Sequence, residues 1–493
     1  MAERSGGLFM LISRKAEKKS LMNAWNKGGP QFIAIYGRRR IGKTYLVKEV
    51  YGDKFVFHHS GVALFEEEEK RSWTQQAEIQ LSFFKSSLMY HWKKELDDFT
   101  DWKDAFRVLK LFLDEKAATE KCVVFLDELA WMDTPGSSFL SAFENFYNSY
   151  VCLKDNIVLV CCASATTWML RHIIYSSGGL MDRVTCAIHL LPFTLKECEQ
   201  YAAFRHLNMT REQILRTYMI FGGVAFYWDL LEPDQSLEQN IDRLFFAPGS
   251  IHRQEFLRLY RSLFKKDLSY LSLIRALGQK RMGLSRDELA KIGKVAAGGS
   301  FSEKLEDLES SGFIRSYKPF GKQKRGTLYQ LIDNFTLFYL EFIENGSNDD
   351  HYFLHLVNQA KMNNWEGRAF EIVCLENITS IKSALGISGV YTEISSFRCL
   401  EDKDKGIKGH QIDLVISRKD KVIHLIEMKY GDKPFIITKH LYDDWRNRVP
   451  DFIASTGTTS SVLPTLIAPK GLASNLYSNW AQIVLDEDDL FLV

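Results

Sequence analysis

The sequence has 493 residues, 46% of them hydrophobic and 25% charged. That balance excludes a largely disordered chain, and at about 150 residues per domain it predicts roughly three folded domains. Lys and Arg total 63 against 62 Asp and Glu, a formal charge of +1, so no global basic excess marks a nucleic-acid coat and any such surface must be local.

The first segment, MAERSGGLFMLISRKAEKKS, lacks a long apolar core and a small-residue cleavage site. No apolar run approaches the ~20 residues of a membrane-spanning helix, which predicts a cytoplasmic chain with no membrane contact. The first strand pattern is FIAIY (32–36), followed by GRRRIGKT (Gly37–Thr44) and a helical pattern. This strand, loop and helix carry the phosphate-loop spacing G-x-x-x-x-G-K-[ST]. Gly37 and Gly42 permit the tight path. Backbone N–H groups of the loop, Ile41 included, can face a polyphosphate, while Arg38, Arg39 and Arg40 serve either the nucleotide or nothing; Lys43 can reach the β- and γ-phosphates, and Thr44 can ligate Mg²⁺. ATP is the expected ligand.

EEEEK (66–70) reads as a solvated charge run, and 73–121 as amphipathic helix. CVVFLDE then delivers Asp127 and Glu128 to the carboxyl end of an apolar strand. Asp127 is expected to hold Mg²⁺ through water and Glu128 to deprotonate the attacking water. IVLVCC (157–162) precedes Ser164, Thr166 and Thr167, any of which can sense a γ-phosphate or simply cap a helix. In GGLMDRVT, Arg183 is a candidate for stabilising transferred charge or a plain surface arginine. CAIHLL (186–191) closes the strand series, and alternation with helices argues for a parallel sheet covered on both faces.

From 193 to 250 the pattern is all-helical, and Gly222–Gly223 either bring backbone close to the nucleotide or break a helix. Over 255–345 it reads as short helices and a hairpin. Ser285 with Glu288 forms a predicted capping box, and GKQKRG (321–326) is a basic turn; helix, helix, helix and hairpin is a winged-helix pattern. The KQKR turn is either solvated or a wing tracking a DNA backbone. Eight cysteines form no C-x-x-C pair, so neither zinc nor a disulfide framework is indicated.

In the last region, QIDLVIS and VIHLIEMKY read as a hairpin. Glu427 and Lys429, two apart on one strand, share a face, and the hairpin brings Asp413 beside them. Glu371, on the helix NWEGRAFEIVCLENI, can approach the same corner. Carboxylates plus a lysine on adjacent strands suit a hard cation and water activation, with Asp413, Glu427 and Lys429 catalytic and Glu371, Asp413 and Glu427 holding the metal. A salt-bridged hairpin is the plainer alternative.

GRRRIGKT, LDE, LPFTLKE and GGVAFYW resemble the archaeal-type ATPases of the AAA+ and signal-transduction ATPase group over about residues 8 to 340. Ala225 stands where that family has a proline. Asp413, Glu427-x-Lys429 and GRAFE resemble the PD-(D/E)XK restriction-endonuclease-like superfamily over about 355 to 490. The resemblances imply an α/β chain: a P-loop ATPase core (1–192), a helical lid (193–252), a winged helix (253–348) and a nuclease-like domain (349–493). They imply ATP and Mg²⁺ as cofactors, DNA as a partner, a possible homo-oligomer, and an ATP-gated nuclease acting against foreign DNA. The alternatives are a switch whose nuclease-like domain only binds nucleic acid or a partner, and a hexameric protein-remodelling ATPase.

Overall fold

The computed structural model describes residues 13–493 except 65–67, 69, 118–119, 265–266, 322–325, 347–348 and 400–408. The KQKR turn and most of the EEEEK run lie outside the described residues. The chain divides into two compact units, one ending at Leu191 and the other beginning at Pro192. Among the described residues no helix is long and apolar enough to cross a membrane.

The first unit runs α1 (Lys15–Asn26), β1 (Gln31–Tyr36), α2 (Lys43–Tyr51), β2 (Phe55–Ser60), α3 (Trp73–Trp92), α4 (Trp102–Lys116), β3 (Cys122–Asp127), α5 (Phe139–Ser149), β4 (Ile157–Ala163) and β5 (Cys186–His189). The five strands form a parallel sheet in the order β2-β3-β4-β1-β5. Strands β3 and β4 are buried at every position, as their unbroken apolar runs require when helices cover both faces. The chain leaves β1 for the far edge at β2 and returns to its other side only at β5, so the carboxyl end of β1 lies at the topological switch point where α/β sheets bind ligands.

Helices α3, α4 and α5 pack on the sheet through an aromatic core. The Trp102 ring meets Phe139 edge-on at 4.9 Å and Phe106 stacks on Phe146 at 4.9 Å. The single helical stretch expected over 73–121 is two helices, each started by a side chain that accepts from the first turn: Ser72 for α3 and Asp101 for α4. Strand β2 was not anticipated.

The second unit begins with α6 (Leu195–Phe204) and α7 (Arg211–Phe221), opened by the capping boxes Thr194–Glu197 and Thr210–Gln213. Then come α8 (Glu255–Phe264), α9 (Ser269–Gly278), β6 (Leu284–Ser285), α10 (Arg286–Ile292), α11 (Gly299–Ser310), β7 (Ile314–Tyr317) and β8 (Leu328–Leu331). The strands make an antiparallel sheet, β6-β8-β7. Ser285 and Glu288 form the capping box their spacing predicts.

The chain continues through α12 (Ala360–Glu376), α13 (Ile378–Ala384), β9 (Thr392–Cys399), β10 (His410–Arg418), β11 (Val422–Met428), α14 (Lys439–Trp445), α15 (Arg448–Thr456), β12 (Ser461–Ile467) and β13 (Ile483–Leu485). This mixed sheet has the order β13-β12-β11-β10-β9, antiparallel across β9, β10 and β11 and parallel beyond. One face carries an apolar cluster of Phe397, Ile412, Val415, Leu425 and Phe452, against which Phe320, from the segment after β7, also packs. The Phe320 N–H donates to the Ser396 carbonyl at 2.6 Å.

Candidate functional site

The loop between β1 and α2 is shaped by two glycines. Gly37 has φ 138°, and a Cβ there would stand 2.2 Å from the Leu190 carbonyl oxygen. Gly42, with φ 92°, caps α2 and turns its free N–H groups toward the loop. Arg38 is buried, as is Lys43, whose ammonium donates to the carbonyls of Gly37 and Arg38 and to Ser164 Oγ, each at 2.9 Å. Burial lowers the Lys43 pKa, while the nearby Glu128 and Asp127 carboxylates oppose the shift.

Thr44 Oγ1 donates to Asp127 Oδ2 at 2.6 Å. Asp127 is 4% exposed, and burial raises its pKa, with the Thr44 hydroxyl pulling the other way. Glu128 follows with φ 45°, a left-handed conformation costly for a residue with a side chain. From there one carboxylate oxygen accepts Ser164 Oγ at 2.5 Å and the other the Ser164 N–H at 3.1 Å. Lys43, Thr44, Asp127, Glu128 and Ser164 therefore converge at the carboxyl edge of the sheet. Thr166 and Thr167 are buried on the following turn. Arg183 is exposed before β5, and among the described residues no hydrogen bond or ion pair joins its side chain to the phosphate loop. A hydroxyl and a carboxylate beside a lysine are hard oxygen donors fitting Mg²⁺ next to a polyphosphate.

Gly222 and Gly223 serve backbone contact. The Phe193 N–H donates to the Gly223 carbonyl at 2.8 Å, and a Cβ on Gly223 would fall 1.9 Å from the Phe193 oxygen. Trp228 Nε1 donates to the Gly222 carbonyl at 2.9 Å. The LPF and GG steps of the sequence are thus two sides of one contact.

A second cluster lies on α12, β10 and β11. Leu414 pairs with Ile426, so Asp413 and Glu427 are the next residues on their facing strands. Glu427 is 6% exposed. It meets Lys429 Nζ at 2.6 Å and Arg448 Nη1 at 2.5 Å. Asp413 accepts from Gln411 at 2.9 Å and pairs with Arg281 Nη2 at 3.4 Å. Arg281 also pairs with Glu371, its Nε donating at 2.6 Å. Two carboxylates thus share one guanidinium, and the third is held by two other cations. Among the described residues, no three His, Cys, Asp or Glu side chains gather as a metal cage. Arg281 and Arg448 were not singled out in the sequence; they stand 132 residues from Asp413 and 21 from Glu427, beyond the reach of any local pattern.

A parallel sheet with a glycine-shaped phosphate loop at its switch point and an Asp–Glu pair on the neighbouring strand defines a P-loop nucleotide-binding domain. Residues 11–226 match a family model described as an ATPase domain predominantly from Archaea, and the chain carries an ATPase domain of this archaeal P-loop type. It is 21% identical over 445 residues to the uncharacterized protein MJECL04 of Methanocaldococcus jannaschii, covering 88% of this chain and 91% of that one. It is 42% identical over 50 residues to the uncharacterized ATP-binding protein MJ0423 of the same organism, 10% of this chain and 85% of the relative. Among solved structures, the Walker-type ATPase PABY2304 of Pyrococcus abyssi is 15% identical with a TM-score of 0.48, over 67% of this chain and 96% of that one.

Proposed function

We propose that the chain is an ATP-driven switch controlling a magnesium-dependent DNA nuclease. In this reading it comprises an ATPase core (1–192), a helical lid (193–252), a winged helix (253–348) and a nuclease-like domain (349–493). Lys43 and the loop N–H groups bind the ATP phosphates, Thr44 and Asp127 hold Mg²⁺, and Glu128, once released from Ser164, accepts the proton of the attacking water. A Mg²⁺ ion held by these two side chains would supply charge neutralisation for the phosphates. At the second site Glu371, Asp413 and Glu427 are the metal donors, and Lys429 lies beside the water that attacks a phosphodiester.

The observation that carries the nuclease reading is the convergence of Glu371 and Asp413 on a single cation, with Glu427 of the facing strand paired to Lys429 just beyond that strand's end. A non-cutting switch, in which this domain only binds nucleic acid or a partner, is favoured by the pairing of every one of these carboxylates with a cation of the chain itself. Cleavage of plasmid and oligonucleotide DNA with Mg²⁺ or Mn²⁺, with and without ATP, separates the two. The nuclease reading expects wild-type cutting that Asp413→Ala abolishes and that Lys43→Ala uncouples from ATP. Uncut DNA under every condition leaves the non-cutting switch.

A further inference from the structure

Arg281 lies on the turn between α9 and β6, and its side chain leaves its own sheet to reach the carboxylates of α12 and β10. The turn is held rigidly from behind. Gln330, 5% exposed on β8, donates to the Arg281 carbonyl at 2.7 Å, and the Tyr317 hydroxyl of β7 donates to the Met282 carbonyl at 2.6 Å. Gly283 follows with φ 78°, and a Cβ there would stand 2.2 Å from the Tyr329 carbonyl oxygen. The backbone of the turn that carries Arg281 is therefore fixed by the β6-β8-β7 sheet.

Its targets are nearly enclosed, the Glu371 side chain being 9% exposed and that of Asp413 13%. Two carboxylates this close and this buried repel unless a cation sits between them. Arg281 supplies that charge. A divalent ion seeking the same oxygens meets an intramolecular competitor at high effective concentration. The same sheet is fastened a second time where Phe320 enters the apolar cluster of the mixed sheet.

We propose that Arg281 is a built-in counter-cation that closes the Glu371–Asp413 pair to divalent metal. The inference rests on the metal-site reading above but not on cutting.

The test is Mn²⁺ binding to the nucleotide-free full-length chain by titration calorimetry and by electron paramagnetic resonance, with melting temperature as the check on folding. Arg281→Ala should bind Mn²⁺ more tightly than wild type by roughly tenfold or more, the gain expected from removing a tethered competitor. Arg281→Lys, which keeps the charge, should fall between them. The double variant Arg281→Ala/Asp413→Ala should lose the gain, which separates this site from Thr44 and Asp127.

Equal affinity in wild type and Arg281→Ala overturns the proposal, as does a gain that survives in the double variant or Mn²⁺ binding in none of the proteins. Tighter Mn²⁺ binding by Arg281→Ala with no DNA cleavage upholds the counter-cation and overturns the nuclease instead.

Discussion

Both carboxylate oxygens of Glu128 are taken by Ser164, one by its hydroxyl and one by its backbone N–H. The same hydroxyl accepts from Lys43. In this arrangement the expected base is tied to the expected phosphate lysine through one serine, and hydrolysis requires the tie to break. Glu128→Gln should retain ATP binding while lowering turnover by roughly 10²-fold or more, the usual share of a general base. Equilibrium binding of a fluorescent ATP analogue beside steady-state phosphate release reads the two effects separately.

Ser164→Ala should destabilise the nucleotide-free protein, because buried Lys43 and half-buried Glu128 each lose a partner. A cost of about 1–3 kcal/mol is expected for such unmade bonds. Chemical denaturation measures it, and added ATP should narrow the gap between variant and wild type as phosphate oxygens replace the missing acceptor of Lys43.

Gly223→Ala places a methyl against the backbone of Phe193, 1.9 Å from its oxygen and 2.4 Å from its nitrogen. Backbone cannot step aside as a side chain can, so the cost should be about 3 kcal/mol or more. Thermal melting should fall by several degrees, whereas Gly298→Ala, where a Cβ meets nothing within 4 Å, should change little.

Strand β2 carries His58 and His59, stacked on Phe125 at 4.9 Å and edge-on to Phe84 at 5.0 Å. Burial pushes their pKa values down from 6.5, to about 4 for His58 and about 3 for His59. Above pH 6.5 both folded and unfolded forms are neutral at these rings. Below it the unfolded chain takes up protons that the fold refuses, so stability is lost as pH falls from 6.5 toward 4 and 3. For His59, which is 2% exposed, the loss by pH 4 should be on the order of a few kcal/mol. Denaturation at pH 7.5 and pH 5 checks the sign, and His59→Gln should flatten the difference.

The phosphate loop and the Asp–Glu pair were readable because their chemistry is compressed into short stretches beside strands apolar enough to be buried on both faces. Strand β2 escaped because FVFHHS sits at a sheet edge and mixes a half-buried and a buried histidine with aromatics, which blurs its alternation. Three hydroxyls follow β4, and only the fold distinguishes Ser164, whose backbone as well as side chain meets Glu128. The glycine pair at 222–223 reads equally as a nucleotide contact or a helix breaker, because its partner Phe193 is remote in the chain. Arg281 stands 90 residues from Glu371 and 132 from Asp413, a separation no local pattern bridges. Glu427 and Lys429 were legible for the opposite reason: strand periodicity alone sets them on one side.

The seating of Phe320 on the mixed sheet bears on how the chain can be divided. Its ring lies 5.1 Å from that of Phe452, and its N–H meets the β9 residue Ser396. A fragment begun near residue 349 would leave that aromatic face open to solvent and the Ser396 carbonyl without this donor. The C-terminal region is therefore better expressed together with the β6-β8-β7 sheet, since the segment leaving β7 supplies the phenylalanine that covers it.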